Sequence, residues 1–231
     1  MDALNFILFD LNPRLVESWK TEFDKIVPPE CAKHVEIKHC TLGNLQKPID
    51  CLVSPANSFG RLDGSYDAVL SEALAPASDP DALTRAAQTT LYARWRGFAP
   101  PGTCTLVPLT GTPCADNPTG CRVLALCPTM RIPSSVSWHR EIVYNCVWSL
   151  LVAVDQHNAD AGPGERIRNV AMTGLATGVG RVPVEVCAVQ TALAFAHFHE
   201  AKADPEKWSR LEWGDIMEMP LSDPSSPHRK R

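Results

Sequence analysis

The sequence predicts an α/β protein, a mixed sheet with helices on both faces. Two stretches of the same design carry that prediction. Cys51-Leu52-Val53 reads as the end of a buried strand; Ser54-Pro55-Ala56-Asn57 breaks it, a loop with Gly60 and Gly64 follows, and from Tyr66 the apolar positions Val69, Leu70, Ala73 and Leu74 fall on one helical face. Arg168–Met172 reads as a second strand. Thr173–Val182 is a second glycine loop, and Pro183 suits the first position of a helix running through Val184, Cys187, Ala188, Thr191, Ala192 and Phe195. Between and around them, short apolar runs alternate with helical patterns, which completes the α/β reading.

In chain order, Leu4–Phe9 is a strongly apolar run and is expected to be a buried strand. Asn12 or Asp10 caps the helix after it, with Pro13 in the first turn and Leu15, Val16, Trp19 and Phe23 on its buried face. Pro28-Pro29 ends that helix. His34–His39 alternates, with Val35 and Ile37 inward. Helices are expected over Tyr66–Ala75, Asp79–Trp95 and Trp138–His157, and a strand pair over Thr103–Leu109 and Arg122–Leu126. Past Ala203 the apolar pattern thins. Trp208, Leu211, Trp213 and Ile216 are expected to dock a short segment, and the polar stretch 222–231, with its basic end, reads as a disordered tail.

The 231 residues suffice for one domain with its own core, and 45% hydrophobic with 21% charged residues is ordinary for a globular protein. No apolar run reaches membrane-spanning length, so no membrane association is expected. The nine cysteines, without CxxC spacing and many of them inside apolar runs (Cys51, Cys127, Cys146 and Cys187), read as reduced thiols of a cytoplasmic or nuclear protein. A net charge of −4 disfavours broad nucleic-acid binding. No cofactor and no metal-ligand set is expected: His197 and His199 are two apart on a helix and face differently.

Strand–glycine loop–helix units place their loops at the carboxyl edge of a sheet, where ligands bind, and backbone N–H groups there suit phosphate. SPANSF, DGSYDAVL and GLATGVGRVP, in this order, resemble the macro domain, the ADP-ribose-binding module. Cys127–Pro133 (CPTMRIP) resembles a branch with a similar proline-threonine-methionine-arginine segment. The resemblance extends from the first strand to about Phe198. It implies a three-layer α/β/α sandwich with about six strands, a macro domain over 1–202, a docking extension over 203–221 and the tail 222–231. It also implies ADP-ribose or a mono-ADP-ribosylated protein as partner, for a chain expected to be a monomer.

By the same resemblance, Asn57 and Asp67, ten positions apart, correspond to an asparagine that orients the distal ribose and an aspartate that orients or activates water. Taken singly, the same residue types also fit a turn and a helix start. Ser54 stands where the family has another asparagine and is expected to brace the loop in part. Gly43-Asn44-Leu45 stands at the family's Gly-Asp-Ile. Asn44 either accepts from the adenine amino group or is a turn residue, and Leu45 accompanies it. Gly64, Ser65 and Tyr66 are expected near phosphate, with Asp63 turned outward. Thr177, Gly178, Val179, Gly180, Arg181 and Val182 align with the diphosphate cradle, Arg181 either pairing with phosphate or standing in solvent. Val182 replaces an aromatic that packs on the distal ribose, a role Phe59 or Tyr66 can take. The implied activity is removal of mono-ADP-ribose from proteins. The alternatives are a reader that binds without turnover, hydrolysis of the terminal phosphate of ADP-ribose 1″-phosphate, and nucleic-acid binding through the basic tail.

Overall fold

A computed structural model of the chain describes residues 4–162 and 164–219. The expected tail 222–231 and positions 220 and 221 of the expected extension lie outside the described residues. Six strands form one sheet in the order β2-β1-β6-β3-β5-β4. They are β1 (Asn5–Asp10), β2 (Val35–His39), β3 (Cys51–Ser54), β4 (Thr105–Pro108), β5 (Val123–Leu126) and β6 (Asn169–Met172). All neighbours run parallel except β4, which closes one edge antiparallel to β5.

The alternation of side chains along the strands divides the core in two. Phe6, Leu8, Cys51, Val53, Val123, Ala125, Val170 and Met172 face α1 (Pro13–Ile26), α5 (Ile142–Asp160) and α6 (Val184–Ala203). Ile7, Phe9, Leu52, Leu124, Leu126 and Ala171 face α3 (Ser65–Leu74) and α4 (Ala82–Trp95). Three layers result, an α/β/α sandwich with a mixed six-stranded sheet. Since β1, β3, β5 and β6 are covered on both faces, they read as continuous apolar runs. A short helix, α2 (Pro29–Ala32), joins α1 to β2.

Asn12 is the cap of α1: its side chain accepts from the Arg14 amide at 3.1 Å, and Pro13 holds the first position. Four helix starts differ from the sequence reading: α3 begins at Ser65 rather than Tyr66, α4 at Ala82 rather than Asp79, and α5 and α6 differ for reasons of their own. Pro183 caps α6 from outside, and the helix begins at Val184. The helix expected from Trp138 begins at Ile142, and Trp138 stands 76% exposed before it. The start is set from another helix: Gln190 Oε1 on α6 accepts the amides of Val143 and Tyr144, both at 3.1 Å, and its Nε2 donates to Arg140 O at 2.5 Å. One side chain thereby satisfies two of the first amides of α5, which no residue of that helix could reach.

After α6 come α7 (Pro205–Trp208) and α8 (Trp213–Glu218). Trp208 stacks on Trp148 at 5.5 Å and 20°, and Trp148 in turn stacks on Tyr144. Of the residues expected to dock, Trp208 and Leu211 are half-buried, whereas Trp213 and Ile216 are exposed, as is Met217. Trp208→Ala is expected to cost about 1 kcal/mol of stability through the lost stacking, and to open the segment after Ala203 to limited proteolysis. Denaturant unfolding and a protease time course check both. No helix among the described residues is long and apolar enough to cross a membrane.

Candidate functional site

A cavity of about 530 Å³ opens where the loops leave the carboxyl ends of the parallel strands. Its wall is built by Asp10 at the end of β1 and Leu11 after it, Cys40–Leu42 after β2, Pro55–Asn57, Arg61 and Asp63–Asp67 after β3, Thr129, Met130 and Pro133 after β5, and Thr173, Gly174 and Ala176–Gly180 after β6. This is the sheet edge where the two glycine loops were expected, and residues of both line the cavity.

In the first loop the Asn57 side chain holds its own turn. Its Oδ1 accepts from the Phe59 and Arg61 amides at 3.1 and 3.4 Å, and its Nδ2 donates to Arg61 O at 2.7 Å. Asn57 faces the cavity, yet both ends of its amide are engaged with the loop backbone, the turn role open to an asparagine here. Arg61 pairs with Asp63. That hydrogen bond holds the Asp63 carboxyl below the ordinary range. Asp63 was expected to turn outward; it lies on the cavity wall instead, its charge matched by Arg61. Gly64 precedes α3 and Ser65 takes φ 52°, a left-handed conformation that is sterically costly for serine.

Asp67 lies in the first turn of α3 and is 8% exposed. Burial pushes its carboxyl up to about 6, a hydrogen bond from Ser54 opposes this, and the Asp63 charge adds to the rise. Ser54 is fully buried at the end of β3 and donates to Asp67 Oδ1 at 2.7 Å. Ser54 therefore touches the carboxylate rather than the cavity. Beside them Tyr66 meets Phe9 edge-on at 6.2 Å, and its hydroxyl is buried with no hydrogen-bond partner among the described residues.

The second loop is held by Asp10. Asp10 Oδ2 accepts the Thr173 hydroxyl at 2.7 Å and the Gly174 amide at 3.1 Å, and Oδ1 accepts the Asn12 amide at 2.9 Å. Sequence reasoning offered Asp10 only as a cap; its place directly after an apolar strand was the available sign. Ala176 takes φ 60°. Two glycines of this loop differ in purpose. A Cβ on Gly180 would lie 2.5 Å from the Ala176 carbonyl oxygen, so the fold itself requires glycine. A Cβ on Gly178 would meet nothing within 4 Å. No packing demands that glycine; what it leaves is open space in the wall.

Thr177, Gly178, Val179 and Gly180, like Gly64, Ser65 and Tyr66, stand on the wall as expected. Several expected ligand residues do not. Val182 is buried in the core beside α5 and α6, because its amide bonds back to Ala176 O and turns the chain inward. Arg181, at φ 57°, is exposed outside the wall. Phe59 is off this wall, packing on Phe98 at 5.6 Å and lining a second hollow with Gln88 and Tyr92. Asn44 and Leu45 are also off the wall, and the residues after β2 that reach it are Cys40, Thr41 and Leu42. A 3₁₀ turn over Leu42–Asn44 places Asn44 behind Thr41, whose hydroxyl donates to Asn44 Oδ1 at 2.5 Å.

The side chains on the wall are acidic on balance: Asp10, Asp63 and Asp67 against Arg61. An anionic ligand would depend on backbone N–H groups of the two loops rather than on a cluster of cations. Among the described residues no group of three or more His, Cys, Asp or Glu could hold a metal ion.

No protein-family model matches the sequence, and no curated protein is similar to it. In structure the chain is similar to macrodomains. The Oceanobacillus iheyensis macrodomain with MES bound is 16% identical, covering 66% of this chain and 70% of that one at a TM-score of 0.49. The macrodomain of Mycobacterium tuberculosis DarG is 19% identical over 67% of this chain and 86% of that one, TM-score 0.45. A Trypanosoma brucei macrodomain in complex with ADP is 17% identical over 69% and 53%, TM-score 0.42. Likenesses at this level do not carry ligand chemistry from one chain to another.

Proposed function

We propose that the cavity binds ADP-ribose, and that Asp67 directs water onto the distal ribose to release mono-ADP-ribose from a modified protein. The observation that carries this reading is Asp67 itself: a buried carboxylate, raised to about 6, at the start of a helix on the wall of a cavity between two glycine loops. A carboxylate of raised pKa is suited to accept a proton from water near neutral pH. In the reaction, water adds across the bond from C1″ of the distal ribose to the target's side-chain oxygen. ADP-ribose and the free side chain are the products, and the carboxylate stabilises positive charge as the bond breaks. The ordered polypeptide supports the ligand assignment too, since Gly178 leaves space that packing does not require. The nine free thiols fit a cytoplasmic or nuclear setting.

One observation favours a second reading, a reader that binds ADP-ribose without turnover. The Asn57 amide is spent on its own loop and is less available to orient the distal ribose. Calorimetry of ADP-ribose with the wild type and Asp67→Ala, paired with release of ADP-ribose from a mono-ADP-ribosylated protein, separates the two. Binding with turnover that falls at least about a hundredfold in the variant is the expected result. Binding without turnover makes the chain a reader. Absence of binding overturns both.

A further inference from the structure

We propose that Ser54 is a positioning residue for Asp67, gripping one carboxylate oxygen from beneath so that the other is presented to the cavity. Its role in turnover rests on the reading above; its grip on the carboxylate does not. The hydroxyl lies at the end of β3 and is fully buried, and its 2.7 Å bond to Asp67 Oδ1 spans 13 positions of sequence. That bond closes the whole first loop over the sheet edge. It also decides which oxygen acts. Oδ1 is engaged, whereas Oδ2 takes no hydrogen bond among the described residues and belongs to a side chain on the wall.

The surroundings make the grip consequential. Tyr66 lies beside Asp67 on α3, Asp63 stands on the loop before it, its charge matched by Arg61, and Asp10 lies at the end of β1. Apart from that matched pair, no cation on the wall favours the ionised form of Asp67. Among the described residues, the Ser54 hydroxyl is the side chain that hydrogen-bonds the carboxylate and favours its ionised form. A serine also suits the place sterically: a longer side chain at a fully buried strand end would push the loop outward.

The test follows the Asp67 carboxyl by ¹³C NMR through a pH titration in the wild type, Ser54→Ala and Ser54→Cys, with Asp67→Asn assigning the signal. Ser54→Ala is expected to move the Asp67 midpoint up by about one pH unit, the worth of a lost hydrogen bond to a charged group. Ser54→Cys, a weak donor of nearly the same size, should fall between. Where turnover exists, the acid limb of its pH profile should move by the same amount. In the Asp67→Asn background, Ser54→Ala should change turnover little further, because both substitutions act on one unit. An unmoved midpoint in a folded Ser54→Ala protein overturns the proposal. If Ser54→Ala fails to fold, the intermediate shift in Ser54→Cys decides, and its absence has the same meaning. Missing ADP-ribose binding by the wild type would end the functional reading while leaving the titration result intact.

Discussion

Gly178→Glu is expected to abolish ADP-ribose binding, weakening it by at least about a hundredfold in calorimetry, in a protein that remains folded. Both halves of the prediction come from the same geometry. The Cβ has nothing within 4 Å, and the backbone at Gly178 is not left-handed, so a side chain enters without strain. It enters on the wall of the cavity, between Thr177 and Val179. There a carboxylate joins Asp10, Asp63 and Asp67 on a surface already short of cations, and it would stand against any diphosphate lying on the loop. Since the substitution touches no packed atom, the melting temperature should hold within about 2 °C, as for an ordinary surface change. Unchanged affinity would show that the second loop is not the cradle. The contrast with Gly180 is instructive: there the same kind of change would meet the Ala176 carbonyl and damage the fold before any ligand was involved.

Asp67→Asn should make the protein more stable at pH 7.5 than the wild type, by about 2–3 kcal/mol, and give little gain near pH 4. The sign follows from the direction of the shift. In the native state burial raises the Asp67 carboxyl to about 6, above its unfolded value of 3.8. Between those values the unfolded chain has lost the proton while the native one keeps it. The native state therefore binds more protons, and stability contributed by Asp67 falls as pH rises through that window. As pH falls below 3.8 the unfolded chain takes up its proton too, and the cost of burying the charge disappears. Asparagine is neutral throughout and its side-chain oxygen can still accept from Ser54, so it removes the charge and keeps the shape. Urea unfolding of both proteins at the two pH values measures the difference, in which the contributions of all other groups cancel. Equal stability differences at pH 4 and pH 7.5 would mean that Asp67 ionises as an exposed carboxylate does. A residue that lowers stability at neutral pH is what a functional carboxylate in an apolar recess looks like energetically.

The layers were legible because each rests on local pattern. The apolar runs around Phe6, Leu52 and Val170 announce strands covered on both faces, and the proline and glycines after Leu52 and Val170 announce where the chain turns. The cavity wall was legible where glycine and loop position speak for themselves, as at Gly64 and Gly178. It was not legible where a residue's role depends on a distant partner. Gln190 decides where α5 begins from 47 positions away, and no pattern between Trp138 and Ile142 reports it. Asp10 holds a loop 163 positions further on. After β2, Cys40, Thr41 and Leu42 line the cavity while Asn44 is held by Thr41 in a 3₁₀ turn, and such short turns leave no periodicity to read. Val182 was assigned by alignment of the loop, whereas a single backbone bond to Ala176 turns it into the core.

At the end of the sheet away from the cavity, Asp50 gathers three strands. Its carboxylate accepts the Arg168 and Asn169 amides at 2.9 Å each and the Arg122 guanidinium at 2.8 Å, while its backbone pairs with Asn169, Arg122 and Val123. Burial alone would raise this carboxyl; Arg122 and the two amides outweigh it and hold it below the ordinary range. The strands brought together there begin at Cys51, Val123 and Asn169, and across the sheet Asn5 meets Asn169 over 164 positions. None of these pairings is available to a short piece of chain, so long loops must close before contacts reward them. Folding is therefore expected to be slowed by the search among such distant strands, and once they meet Asp50 ties three of them together at one point.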